Sequence, residues 1–367
     1  MLTRREFLRR AGLLSAAGLA GCVSGGLRSA GAGGRWAMPA EGARHRRTWM
    51  AFGASREIWG ARLLPEVRRN IAVLAAAVAR HEPVSMLVRP EELDLARAMA
   101  GSSVDLIAVP LDDIWIRDTG PVFVLDGRGG KAAVDFNFNG WGRKQACRRD
   151  AGVAARVAAH AGAKVLRASL VLEGGGIEVD GEGTALLTES CVVNDNRNPG
   201  WSRAAIEESL MSCLGLGRII WLPGIRGADI TDGHTDFYAR FAGPGVVLAH
   251  LDPDPASFDH EVTQRHMEIL RAAKDARGRP LRVMGVQGPA SVRPAFRTQD
   301  FAAGYLGFYL CNDAVLMQEF GDPAADLAAR HAVEEAFPGR AVEQLAMDGL
   351  AAGGGTMHCV TQQEPWA

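Results

Sequence analysis

From Thr48 onward the chain repeats one rhythm, an apolar β-run, a helix with one apolar face and a second β-run, at intervals of about sixty residues. That alternation leaves few architectures open, because each helix has to cover a sheet and each strand has to find a neighbour. Strands are expected at residues 48–52 and 84–88, joined by a helix over 63–81 in which Val67, Ile71, Leu74 and Val78 share a face. Pro90, Glu91 and Glu92 open a second helix ending near 99, and 104–109 reads as a strand. The unit returns as strands at 132–138 and 170–172 around a helix at 151–161. It continues as a hairpin of 177–179 with 185–188, then a helix at 203–214 leading into a strand at 218–222. Strands near 235–241, 246–250 and 281–286 flank a helix at 258–276, and strands at 305–310 and 314–318 precede a helix at 323–336. No linker divides this run, so residues 35–367 are expected to form a single α/β domain of several similar modules.

Polar clusters interrupt the apolar pattern at four places. The segment Gly353-Gly354-Gly355-Thr356-Met357-His358-Cys359 delivers a cysteine from a glycine-rich turn into a short β-like run, a setting that suits a solvent-reachable nucleophile. Asp112 to Pro121 holds Trp115 three residues before Asp118, so a cation bound by the carboxylate could lie against the indole. Glu173 precedes Gly174, Gly175 and Gly176, where backbone can pass close to a site. In Thr231-Asp232-Gly233-His234-Thr235-Asp236, an extended conformation would put His234 and Asp236 on one face, a general acid/base beside a carboxylate anchor.

The charge balance is neutral, with a formal net charge of −1, which gives no long-range attraction to nucleic acid. The basic run Arg44-His45-Arg46-Arg47 is expected at a solvated edge. Cysteine usage fits a thiol enzyme: apart from Cys22, five remain, Cys147, Cys191, Cys213, Cys311 and Cys359, an odd set without CxxC spacing. No Cys/His cluster has zinc-ligand spacing, and neither a metal nor a cofactor is expected. The first residues carry an address. Arg4-Arg5-Glu6-Phe7-Leu8 resembles a twin-arginine export signal, and Leu19-Ala20-Gly21-Cys22 resembles a lipoprotein processing box. Residues 1–22 are therefore expected to be a signal segment and 23–34 a flexible tether, with Cys22 a lipid anchor on the periplasmic side of a bacterial membrane.

Taken together, the clusters resemble the agmatine deiminase and bacterial peptidylarginine deiminase family. The similarity also runs through Met38-Pro39-Ala40-Glu41, Arg47-Thr48-Trp49-Met50, Phe138-Asn139-Gly140-Trp141-Gly142, Asn194-Asp195-Asn196-Arg197-Asn198-Pro199 and Trp221-Leu222-Pro223-Gly224. It implies a five-bladed α/β propeller, the pentein fold, of pseudo-repeated ββαβ modules with the site on its axis. Matched residue by residue, it implies Cys359 as nucleophile, His234 as general acid/base, Asp118 and Asp236 as the carboxylates gripping the guanidinium, Glu173 as the partner of the histidine, and Trp115 as an aromatic lining the channel. Those types suit the chemistry. The carbon of a guanidinium is a poor electrophile because its charge is delocalised, and paired carboxylates localise that charge while a thiolate attacks. The resemblance implies hydrolysis of agmatine to N-carbamoylputrescine and ammonia, a step toward putrescine, and family members often pair as homodimers. Deimination of arginine in peptides, amidinotransfer to an acceptor amine, and guanidinium binding without turnover are the alternatives. The loop Gly224-Ile225-Arg226-Gly227-Ala228-Asp229-Ile230 departs from the family pattern and is expected to border the site.

Overall fold

The computed structural model describes residues 36–367, and the expected export segment, tether and Cys22 lie outside the described residues. The chain begins with β1 (His45–Phe52), α1 (Arg56–Val78), β2 (Val84–Val88), α2 (Leu93–Ala100) and β3 (Val104–Ala108). Four similar units follow. They are β4 (Val122–Leu125), β5 (Lys131–Asp135), α3 (Val153–His160) and β6 (Lys164–Arg167); then β7 (Glu178–Val179), β8 (Thr184–Thr188), α4 (Arg203–Leu214) and β9 (Arg218–Leu222). The third is β10 (Ala239–Gly243), β11 (Val246–Leu251), α5 (His260–Ala272) and β12 (Arg282–Gln287), and the fourth β13 (Tyr309–Leu310), β14 (Ala314–Glu319), α6 (Pro323–Ala336) and β15 (Ala341–Ala346). In each unit the first two strands are antiparallel, and a helix carries the chain across to a third strand parallel to the second. The last strand, β16 (Gln362–Pro365), pairs antiparallel with β1, Thr48 opposite Gln363, and completes a fifth sheet in the order β16-β1-β2-β3. The expected module is therefore present five times, once assembled from both ends of the chain.

The central strands explain why the sheets pack as they do. They are apolar at consecutive rather than alternate positions, the signature of a strand buried on both faces. In β8, Ala185 and Leu187 face one neighbouring unit and Leu186 the other; in β14, Val315 and Met317 divide from Leu316 in the same way. Five apolar clusters result, each filling the gap between two successive sheets. The first strand of each sheet lies innermost, with β7 against β10 and β16 against β4.

Several boundaries follow from local chemistry. Ser202 caps α4 by accepting from the Ala205 N–H, and Gly215 stops it at φ 70°. Asp322 caps α6 and Pro323 supplies its first turn. Four expectations are corrected. The helix expected at 63–81 spans Arg56–Val78, and its first turn is set apart by Gly60 at φ 65°. The strand expected at 170–172 is irregular; the sheet instead takes up β6, whose exposed Lys164 and Arg167 disguised it. Of residues 305–310, only Tyr309–Leu310 pair as a strand. His45 is not at a solvated edge. It is buried, its Nδ1 2.9 Å from Glu82 and its Nε2 2.6 Å from the Glu41 carbonyl, while Arg44 and Arg46 on either side are exposed.

Candidate active site

Each innermost strand is entered through a tight turn, and four of the five turns carry the chemistry. Asp118 lies in the helical turn Ile116–Thr119 before β4, and Glu173 immediately precedes the 3-10 turn Gly174–Gly176 before β7. His234 immediately precedes the helical turn Thr235–Tyr238, containing Asp236, before β10; Cys359 lies in the 3-10 turn His358–Val360 before β16. The repeat thus gathers residues 241 positions apart in sequence, from Asp118 to Cys359, around one axis. His234 and Asp236 meet through a helical turn and not through the extended segment expected. Backbone hydrogen bonds close that turn, with the Ala239 N–H returning to the Thr235 carbonyl. Cys359 likewise precedes its β-run instead of beginning it.

Asp118 is fixed through both oxygens, Oδ2 accepting from the Trp141 indole at 2.9 Å and Oδ1 from the Gly175 N–H at 3.1 Å. His234 Nδ1 stands 3.8 Å from Asp118 Oδ1, and its Nε2 3.2 Å from Glu173 Oε2. Glu173 is completely buried, and Arg197 Nε donates to both of its oxygens at 2.9 Å. Arg197 in turn reaches Asp232 at 2.8 Å, and Lys144 joins Asp232 at 2.7 Å. Asp236 Oδ2 is 2.7 Å from His358 Nδ1 and 3.9 Å from Cys359 Sγ, whose other neighbour is the Thr356 hydroxyl at 3.3 Å.

A narrow pocket opens onto this group between Trp115, Trp141, Ile230, Thr231, Gly353 and Gly354, with Asp118 and Cys359 in its wall. Two glycines make the packing feasible. A Cβ on Gly175 would lie 2.6 Å from His234 Nδ1 and 3.0 Å from both Asp118 Oδ1 and Asp236 Oδ2; one on Gly355 would lie 2.2 Å from the Trp115 ring. Trp115 is held from beneath, its indole N–H donating to Asp113 Oδ2 at 2.9 Å while Trp59 donates to Oδ1 at 2.7 Å.

Burial and charge set the protonation pattern. Burial pushes the Cys359 thiol up to about 12, with the Asp236 and Asp118 charges adding to it. Burial would push His234 down, but the Asp118 charge, with Cys191 and Glu173, holds it well above the usual imidazole range. Asp118 is raised by burial and by Glu173 and Asp236, against the opposing charge of His234. Burial acts the same way on Asp236 and Glu173, yet both end lowered, the first by His358 and the second by Arg197 and His234. The site therefore holds a protonated histidine and a protonated thiol beside the carboxylates of Asp118 and Asp236.

All six expected residues, Cys359, His234, Asp118, Asp236, Glu173 and Trp115, meet in this one place. Trp141, Arg197, Asp232, Cys191 and Glu41 belong to it too and were not singled out, although Trp141, Arg197 and Glu41 lie within the family-like segments quoted above. Glu173, Cys191 and His234 bring one ligand atom each within 4.8 Å, the one such group among the described residues. Arg197 already occupies both Glu173 oxygens there, so a metal would meet a resident cation. All five cysteines among the described residues are free.

Residues 37–365 match the family model described as Porphyromonas-type peptidyl-arginine deiminase. A Streptomyces coelicolor protein, to which the name agmatine deiminase is attached provisionally, is 45% identical over 336 residues, 89% of this chain and 98% of the relative. An agmatine deiminase of Ectopseudomonas mendocina is 37% identical over 351 residues, 89% of this chain and 95% of the relative. Among solved structures, the agmatine deiminase of Enterococcus faecalis superposes with a TM-score of 0.84 at 29% identity, covering 90% of this chain and 96% of that one.

Proposed function

The chain belongs to the Porphyromonas-type peptidyl-arginine deiminase family, and we propose that it hydrolyses agmatine to N-carbamoylputrescine and ammonia through a covalent intermediate on Cys359. The observation that carries this reading is the convergence of Cys359, His234, Glu173 and two carboxylates, Asp118 and Asp236, on one aromatic-walled pocket.

A guanidinium enters between Asp118 and Asp236. Their carboxylates localise its charge and align its planar donors, which an ammonium ion cannot match. The same cation offsets the two charges that, with burial, raise the thiol, so substrate binding favours the thiolate, whose proton passes to solvent. The thiolate then attacks the guanidinium carbon. His234, protonated beforehand, gives its proton to the departing nitrogen, the C–N bond breaks, and ammonia leaves a thiouronium on Cys359. Neutral His234 next takes a proton from water, hydroxide adds to the same carbon, and the C–S bond breaks as the hydroxyl proton passes to sulfur, returning the thiol and a ureido product. Glu173, anchored by Arg197, keeps His234 turned toward that carbon through both steps. Ammonia release from agmatine, free arginine and an arginyl peptide, measured side by side, tests the reading. Turnover of agmatine with an acid-trapped adduct on Cys359 supports it, and no turnover of any of the three overturns it.

Export to the periplasmic side is proposed on the twin-arginine and processing motifs. The family match begins at residue 37, so those motifs lie beyond the part shared with relatives. Determining the mature N-terminus by mass spectrometry after fractionation tests it: an acylated Cys22 in the membrane fraction is expected, and an intact Met1 on cytoplasmic enzyme overturns it.

A further inference from the structure

The proposed reaction employs Asp236 and Cys359 but leaves unused the histidine that joins them to the axis. His358 is 1% exposed, and both of its ring nitrogens meet carboxylate oxygens at 2.7 Å, Nδ1 with Asp236 Oδ2 and Nε2 with Glu41 Oε2. An ionised carboxylate only accepts, so both nitrogens must donate, which defines an imidazolium. The surroundings agree. Glu41 accepts from the Leu310 N–H at 3.1 Å and from Arg240 at 2.9 Å, with Arg117 3.6 Å away; Glu178 holds Arg240 from the other side at 2.8 Å. Every member of this network is buried, and three carboxylates, Glu41, Glu178 and Asp236, face three cations, Arg117, Arg240 and His358. A neutral imidazole would leave one buried negative charge without a partner. The histidine backbone is pinned as well: its N–H donates to the Gly307 carbonyl at 3.1 Å, and its carbonyl accepts from Arg117 Nε at 3.2 Å.

We propose that His358 is a positioning residue of the deimination: an imidazolium clamped by Glu41 that keeps Asp236 ionised, and holds the turn presenting Cys359, before the substrate arrives. It touches neither substrate nor reacting atoms and acts through Asp236 Oδ2, the oxygen that also faces the Cys359 thiol at 3.9 Å. The other groups facing this pair are Asp118 and His234 across the pocket and Arg240 and Arg117 below it. The inference rests on the proposed reaction, but its first test does not require turnover. With the full chain labelled with 15N-histidine, a two-bond proton–nitrogen spectrum at about pH 7.5 is expected to show both His358 nitrogens protonated, with the spectra of His358→Gln or Glu41→Gln identifying the signal. A neutral tautomer there overturns the proposal. Kinetically, both variants are expected to lose about tenfold or more in kcat, with the acid limb of kcat/KM moved upward as Asp236 loses its cationic partner. A loss matched by a smaller titratable fraction of Cys359, with the pH profile in place, would reduce His358 to a structural role and overturn the proposal.

Discussion

Cys359 lies beside two carboxylates that oppose its ionisation, so the residues that make the site selective also keep its nucleophile quiet. Removing either charge should therefore separate reactivity from turnover. Asp118→Asn and Asp236→Asn are each expected to lower turnover by about a hundredfold, some 2.7 kcal/mol of lost transition-state stabilisation. The same variants are expected to be alkylated at Cys359 by iodoacetamide faster than the wild type at neutral pH, because each removes a charge that raises the thiol. Labelling followed by peptide mass spectrometry reads this without any need for activity. Slower labelling in both variants would show that the carboxylates assist thiol ionisation instead. Cys359→Ser should abolish turnover, whereas serine at Cys147, Cys213 or Cys311 should leave most of it.

At the scale of elements, the turns before the innermost strands do what the helices and strands only support. Gly175 shows how tightly one is drawn. In Gly175→Ala the new methyl group would enter the space shared by His234, Asp118 and Asp236, and kcat/KM should fall by about a hundredfold or more while the circular dichroism spectrum is retained. The third sheet carries a different liability. Burial lowers both His250, on β11, and His266, on α5, to about 4. In the unfolded chain both titrate near the ordinary histidine value of about 6.5, so between that pH and about 4 the unfolded state binds more protons and folding stability falls as pH falls. Each contributes roughly 2 kcal/mol of this loss at about pH 5, partly offset by Asp150 and Asp259, which burial raises to about 7 and about 6. Denaturant titrations at about pH 7 and about pH 5 should show a smaller acid-induced loss for His250→Gln than for the wild type; an equal loss would mean that His250 charges freely in the fold. Regular elements were legible in the sequence wherever local rules decided them, as in α4, α6, β2 and β9, with their caps and apolar faces. The turns were not. His234 and Asp236 carry no local mark of helix, and β6 exposes its charges at a sheet edge. Arg197, Trp141 and Glu41 earn their places through partners 24, 23 and 317 residues away, a relation no periodicity records.

For the whole molecule, the decisive feature is that four sheets are made from consecutive chain while the fifth borrows β16 from the far end. Trp49 and Lys131 both fasten on Glu364 of that strand, tying it to its own sheet and to the next. A chain ending at Thr361 is expected to lose its cooperative thermal transition, and a chain beginning at residue 36 to keep both transition and activity. Calorimetry of the two decides the matter, and a cooperative transition in the first would show that four sheets suffice.

Because synthesis runs from the N-terminus, the position of β16 also imposes an order of events. The strand that seals the ring follows the nucleophile by only three residues, and both are made after every other strand of the ring. While the chain is still being translated, the guanidinium-binding carboxylates can already be in place, but no thiol stands opposite them. The nascent chain is therefore expected to stay catalytically silent until Cys359 and β16 have been made, so that the step that completes the fifth sheet also brings in the nucleophile.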